Sequence, residues 1–253
     1  MIVYNKPFLK IAEFYYQPPV EGRNGLDIAR CYYQESPIEG TQQSVFHTLQ
    51  IELTQDADQI LAGMKKDNRQ QIRYAEREGI KTEASNSPDT RWMQEFFTFY
   101  DAFAQGKGLP PANRARLAAM REANMLDLSR AIDPVTGDTL VWHCTLRTPS
   151  AARLVHSASL ARDAEQSRTT GRANRGLHWQ DILRFREAGL ATYDFGGWYA
   201  GDTDEAKLRI NKFKESFGGK VVQLYNVDRG LTLRGAMAIR ARHLLETWKE
   251  RKD

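Results

Sequence analysis

Residues 167–185 read SRTTGRANRGLHWQDILRF, a stretch that holds Arg168, Thr169, Thr170, Gly171, Arg172 and Ala173 together without one carboxylate among them. Side chains of this kind suit a phosphate. The first amides of a helix lack internal partners and its dipole adds partial positive charge at the same end. With a helix expected to open near Asn174, Gly171 and Ala173 let the backbone come close to a ligand, while Arg168 and Arg172 supply full charges. The stretch is therefore a candidate pyrophosphate cradle. An ordinary surface turn, capping the helix through Thr170 or Asn174, is the other reading of the same residues.

A second charged series is Lys65, Arg69, Arg73 and Arg77, which recur every four residues and would line one face of a helix. Such a face either stays solvated, balanced by Asp67, Glu76 and Glu78, or meets an anionic acceptor. No Ser-His-Asp order, metal-type cluster or P-loop competes with these features.

The elements that must position them follow from periodicity. Residues 43–53 alternate apolar and polar side chains as a strand does. A helix is expected from Asp56 to a stop at Gly79, then a short strand in IKTEAS and an aromatic-rich helix over 88–104. Three strands follow, in MLDLSRAI, TLVWHCTLRT and RLVHSASLA, the first two joined by the turn sequence DPVTGD. Next come the helix opening at Asn174, the strand ATYDFGG and a helix over 203–217. In that helix Ala206, Ile210, Phe213 and Phe217 form a stripe, with Asp202 and Glu205 as a capping pair. The strand KVVQLYNV and a helix from Leu231 complete the order. In that last helix Leu233, Met237, Ala241, Leu244 and Trp248 recur at helical spacing. This order predicts a mixed α/β sheet with helices on its faces, and a ligand site where neighbouring strands diverge.

Composition bounds the class. The 253 residues are 41 % hydrophobic, enough for a sizeable core, and no apolar run approaches the roughly 20 residues of a membrane helix. No signal peptide is expected. Cys31 and Cys144 lie far apart and form no metal cluster, which predicts a reduced, cytoplasmic protein. The net charge of +4 admits an anionic ligand without requiring nucleic acid, and no DNA-binding role is expected.

Arg168-x-x-Gly171-x-Ala173 resembles the loop by which GNAT-superfamily acyltransferases hold the pyrophosphate of acyl-CoA. Its context, with Asn174, Tyr193-Asp194-Phe195-Gly196-Gly197, Phe213-Lys214 and Phe217-Gly218-Gly219, resembles the last third of the Fem-type peptidoglycan-bridge aminoacyltransferases. It is similar also to the related BioF2-like acetyltransferase-domain proteins found with cell-surface polysaccharide genes. The resemblance covers roughly residues 55–228.

It implies a single GNAT-like domain with splayed central strands. An N-terminal extension would span 1–87, a donor-binding core 88–228 and a C-terminal helix 229–253. It implies an N-acyltransferase using acetyl-CoA or another acyl-CoA, without a metal, on an amine of an amino sugar or a lipid-linked cell-envelope precursor. Residues 168–174 would bind the donor, and a backbone amide within Leu154–Leu160 would hold the oxyanion. Asp194 or His156 (with His178 also considered) would act as base and Tyr199 as acid. Phe213, Lys214, Trp198, Arg69 and Arg73 would bind substrate. The two-domain bridge enzymes are longer than this chain, and several carry a tRNA-binding arm. An aminoacyl-tRNA donor is thus the alternative, and a non-catalytic anion-binding module a third. A location at the inner face of the membrane is compatible with the cations of the last helix, Arg234, Arg240, Arg242, Lys249 and Arg251. The spacing of Met237, Leu244 and Trp248 instead predicts packing against the body.

Overall fold

A computed structural model describes residues 1–16, 25–39, 41–159 and 164–250. In chain order the elements are β1 (Ile2–Lys6), β2 (Leu9–Tyr15), β3 (Ile28–Gln34), β4 (Gln42–Glu52), α1 (Ala57–Gly63), α2 (Lys66–Arg77), β5 (Lys81–Ser85) and α3 (Thr90–Lys107). Then follow α4 (Arg114–Glu122), β6 (Leu126–Ile132), β7 (Thr139–Arg147), β8 (Ala151–Ser159) and α5 (Ala164–Glu187). The chain continues through β9 (Thr192–Gly197), α6 (Glu205–Glu215), β10 (Lys220–Gly230) and α7 (Leu233–Glu250). This is a mixed α/β architecture that divides into two compact units, one of Met1–His47, Arg114–Ala119 and Gln223–Asp253, the other of Thr48–Asn113 and Met120–Val222.

In the first unit β1 and β2 pair antiparallel, β2 and β3 parallel, and β3 pairs antiparallel with β10. Ala12, Phe14, Leu26, Ala29, Cys31 and Val227 form its core. Buried Asp27 ties three segments together, accepting from the Lys10 amide at 2.8 Å, the Thr232 hydroxyl at 2.8 Å and Arg234 Nε at 2.5 Å. Gly235 lets α7 approach so closely that an added Cβ would collide with the Asp27 carbonyl oxygen. Among the described side chains α7 docks through Gly235 and Ile239, and Arg242 pairs with Asp228 at 2.6 Å. Met237 and Leu244, expected against the body, are exposed, and the Trp248 side chain lies outside the described residues.

In the second unit the strand order is β4-β9-β8-β7-β6-β5, antiparallel except for the parallel pair β8–β9. β7 and β8 are antiparallel neighbours as far as residue 159; Leu160 lies outside the described residues. The period of two is plain in β6. Asp127, Ser129 and Ala131 face α5, while Arg130 turns the other way and stacks over Trp92 and Trp142 at 5.0 and 5.4 Å. The core under α5 includes Leu49, Ile51, Ile72, Ile182, Phe185, Tyr193, Phe195 and Phe217. Cys144 is buried in this unit as Cys31 is in the other, and neither is part of a disulfide.

Three local expectations are corrected. The single helix 56–79 is two, because Met64 and Lys65 turn extended between α1 and α2 and Arg69 caps the break, donating to the carbonyls of Ala62 and Met64. Lys65 thus precedes α2 and pairs with Glu215 instead of joining the basic face. In α6 the cap is Asp204 rather than Asp202, and Ile210 is exposed. The buried positions are instead Asn211, which exchanges hydrogen bonds with the backbone of Tyr199, and Phe217 beyond the helix end. Residues 168–173 are not a loop. They lie inside α5, because Thr170, Ala173 and Leu177 fall on one buried face, with Ala173 and Leu177 against Ala131, Leu140 and Val141.

Candidate active site

β8 and β9 pair only at Ala151–Thr192, Ala152–Tyr193 and Arg153–Asp194. Beyond Arg153 the strands part, as the splayed central strands implied by the resemblance would. On its other edge β8 sets His156 opposite Cys144 and Leu154 opposite Thr145, so Val155 is the extra residue of a bulge and leaves the ladder. Gly196 sits where the strands separate. Its φ is +77°, and an added Cβ would lie 3.0 Å from the Leu154 carbonyl oxygen.

Asp194 is wholly buried at this junction. Its carboxylate accepts from Thr48 Oγ1 at 2.5 Å, Gln50 Nε2 at 3.0 Å, Arg153 Nη1 at 2.7 Å and the Gly196 amide at 2.7 Å. Three of these donors converge on Oδ1 and one on Oδ2. Above it Lys214 donates to the carbonyls of Gly196, at 3.3 Å, and Gly197. Burial, and then the Arg153 guanidinium, lower the Lys214 pKa to about 8. Two residues named from the sequence, Asp194 and Lys214, are thus brought to one place. Thr48, Gln50 and Arg153, which the sequence reading missed, come from segments far apart in the chain.

On α5, Arg168, Arg172 and Arg175 stand at i, i+4 and i+7 and so share a face. Arg172 is engaged by Glu78 and Gln71 and stacks over Tyr74 at 4.8 Å. Arg168 is exposed. Arg175 lies over the Phe213 ring at 5.0 Å and donates to the Gly171 carbonyl at 3.0 Å; burial lowers its pKa, with no carboxylate beside it among the described residues. Arg175 was missed, and its helical spacing from Arg168 was the signal that could have found it.

The rest of α5 is polar where it meets the sheet. Asn174, expected to open the helix, instead meets His143 Nε2 at 2.9 Å, and His143 Nδ1 meets Asp181 at 2.8 Å. Asp181 also accepts from Ser129 and from Arg184, which grips Asp127 with two bonds of 2.7 Å. His178 stacks on His143 and touches the Tyr193 hydroxyl at 2.9 Å; burial and then the His143 ring keep His178 far below its usual pKa, hence neutral.

The remaining residues are dispersed. His156 packs on Tyr100 at 4.4 Å. Tyr199 contacts the Thr203 hydroxyl at 3.2 Å, and Lys207 lies over its ring. Phe213 and Trp198 pack partly buried against the core under α5. Arg69 and Arg73, with Lys66, Gln70, Tyr74 and Arg77, line a groove of about 480 Å³ along α2. No group of His, Cys, Asp and Glu among the described residues could hold a metal.

No family model matches the chain, and no curated protein does. Solved structures do. FemX superposes with a TM-score of 0.61 at 15 % identity over 79 % of this chain, which spans 65 % of FemX. The C-terminal domain of a putative lysylphosphatidylglycerol synthetase from Agrobacterium fabrum gives 0.56 at 16 % identity, covering 87 % of this chain and 73 % of that one. L-PGS from Bacillus licheniformis gives 0.53 at 12 % identity, covering 85 % and 72 %.

Proposed function

From a fold shared with FemX and the lysylphosphatidylglycerol synthetases, the GNAT-like fold of the Fem-type enzymes, we propose that this protein is an acyltransferase working where β8 and β9 part. The observation that carries the reading is the set of groups at that junction: a bulged Val155, a desolvated Lys214, and Arg153 locked on Asp194.

The amine of an amino sugar or cell-envelope precursor attacks the carbonyl carbon of an activated acyl group. A C–N bond forms, the C–S bond to the carrier breaks, the amine gives up a proton and the departing thiolate takes one. The Val155 amide is the oxyanion donor, and the Lys214 ammonium stabilises negative charge on the oxyanion or the leaving sulfur. His156, beside the bulge, is the base, and Tyr199 the candidate acid. Asp194 is a positioning residue that fixes Arg153 and the Gly196 turn. The donor is an acyl-CoA whose phosphates meet the face of α5 that carries Arg168 and Arg175, in place of the 171–173 backbone, which lies inside the helix. An acceptor binds along Phe213 and Trp198.

A second reading has a specific observation behind it. The α2 groove aligns Lys66, Arg69, Arg73 and Arg77 beside the Tyr74 ring, which suits the backbone of an aminoacyl-tRNA donor. Transfer of labelled acetyl from acetyl-CoA to a panel of amino sugars tests the first donor, and transfer from charged tRNA the second. Arg175→Ala should weaken acetyl-CoA binding by about 1.5–3 kcal/mol in a titration, the range for a hydrogen bond to a charged group. Unaltered acetyl-CoA affinity in Arg175→Ala would remove CoA from this site, and failure of both donors would remove the transferase reading.

A further inference from the structure

The first turns of α7 dock through Gly235 and Ile239, yet the helix carries a second apolar stripe that stands exposed among the described residues. Leu233, Met237, Ala241 and Leu244 stand at i, i+4, i+8 and i+11, hence on one face, and Leu233, Met237 and Leu244 are 79 %, 56 % and 68 % exposed. Leu245 extends the stripe and is exposed as well. Between Leu231 and Leu245 the chain has Arg234, Arg240, Arg242 and His243, and not one Asp or Glu.

A neighbouring element has the same character. The turn between β1 and β2 carries Phe8, 91 % exposed and at φ +65°, between Lys6 and Lys10. Asp27 fixes the two elements to each other, since it binds both the Lys10 amide and Arg234, and its carbonyl accepts from the Leu231 amide.

We propose that α7 and the Phe8 turn form a docking surface for an anionic lipid bilayer, with the apolar stripe at the acyl boundary and the arginines and lysines among the headgroups. An apolar stripe flanked by Arg240, with Lys6 and Lys10 on either side of Phe8, matches such a surface in both respects, while Arg234 and Arg242 are held by Asp27 and Asp228. A second copy of the chain fits poorly, because it would set the same cations against one another. No helix among the described residues is long and apolar enough to cross a membrane, so contact would be interfacial. The proposal is independent of the transferase reading, since vesicle binding needs no turnover.

Flotation of the full chain with vesicles tests it. The protein should float with mixed phosphatidylcholine–phosphatidylglycerol vesicles, float poorly with phosphatidylcholine alone, and be released as salt rises. The double variant Met237→Ser, Leu244→Ser should lose at least about tenfold in vesicle affinity, as expected from the apolar area withdrawn. Arg240→Ala should lose about fivefold, the effect of one surface cation near an anionic leaflet. These side chains are exposed, so each variant should melt with the parent by circular dichroism. Absence of flotation with anionic vesicles, equal flotation of parent and variants, or a concentration-dependent dimer abolished by the double variant would each overturn the proposal.

Discussion

Lys214 holds its ammonium against two backbone carbonyls in a place where burial makes the charge costly, and its pKa falls to about 8. The sign of the consequence can be worked out. The unfolded chain keeps this proton up to its ordinary pKa near 10.5, whereas the folded chain loses it near 8. Lys214 therefore costs stability below pH 8, and the cost is relieved as pH rises between these values. The melting temperature of the parent should gain on that of Lys214→Met across this interval, and a constant difference would refute the assignment. Activity should move the opposite way. If the ammonium serves the transition state, kcat falls above about pH 8. Lys214→Arg, whose guanidinium stays charged, should keep part of the activity and lose that descending limb, and Lys214→Met should lose most of kcat. A descending limb that survives in Lys214→Arg would assign the titration to another group.

At the scale of elements, α5 meets the sheet through charges as much as through apolar side chains. Arg184 neutralises both Asp127 and Asp181, each buried. Arg184→Met should strip Asp127 of its guanidinium and leave Asp181 with only His143 and Ser129, lowering stability by about 3–5 kcal/mol, read from denaturant unfolding. Arg184→Lys should recover only part of this, because a lysine cannot form the two-pronged contact. Close approach sets a second limit, at Gly218. Its φ is +80° and an added Cβ would lie 2.7 Å from the Gly63 carbonyl oxygen at the α1–α2 break. Gly218→Ala should cost about 2–4 kcal/mol, the left-handed backbone and the overpacking together. The run of strands from β6 to β9 was legible in the sequence because apolar stretches are punctuated by Asp133-Pro134, Gly137, Pro149, Gly189 and Gly196. The break at Met64–Lys65 was not, since it is held by Arg69 and by Ser216, whose carbonyl accepts from the Lys65 amide, and only folding brings Ser216 there. The start of α5 was misplaced for a related reason: Gly171 and two threonines read as a loop, and only the packing of Thr170, Ala173 and Leu177 makes them helical. At the site, Asp194 and Lys214 were legible as residue types in a family-like context. That Asp194 is bound by Thr48, Gln50 and Arg153 depends on strand pairing that no local pattern announces.

On the scale of the molecule, the chain crosses between its two units several times, and the first unit is assembled from three separate stretches. Its three N-terminal strands fall in the region for which the sequence reading offered only an extension. Each unit has its own buried cluster, and each contains one cysteine, Cys31 on β3 and Cys144 on β7, both without solvent exposure. Burial also raises the Cys31 thiol to about 11, so at neutral pH it is neither accessible nor ionised while folded. The molecule thereby contains two internal clocks. In increasing denaturant, a pulse of a thiol-alkylating reagent followed by peptide mass spectrometry would date the opening of each unit separately, without any added label. If the two units melt as one, both cysteines become alkylated along a single curve; if one opens first, its cysteine alone is marked at intermediate denaturant. Alkylation of either thiol under native conditions, at the rate of a small free thiol, would contradict the burial described for it.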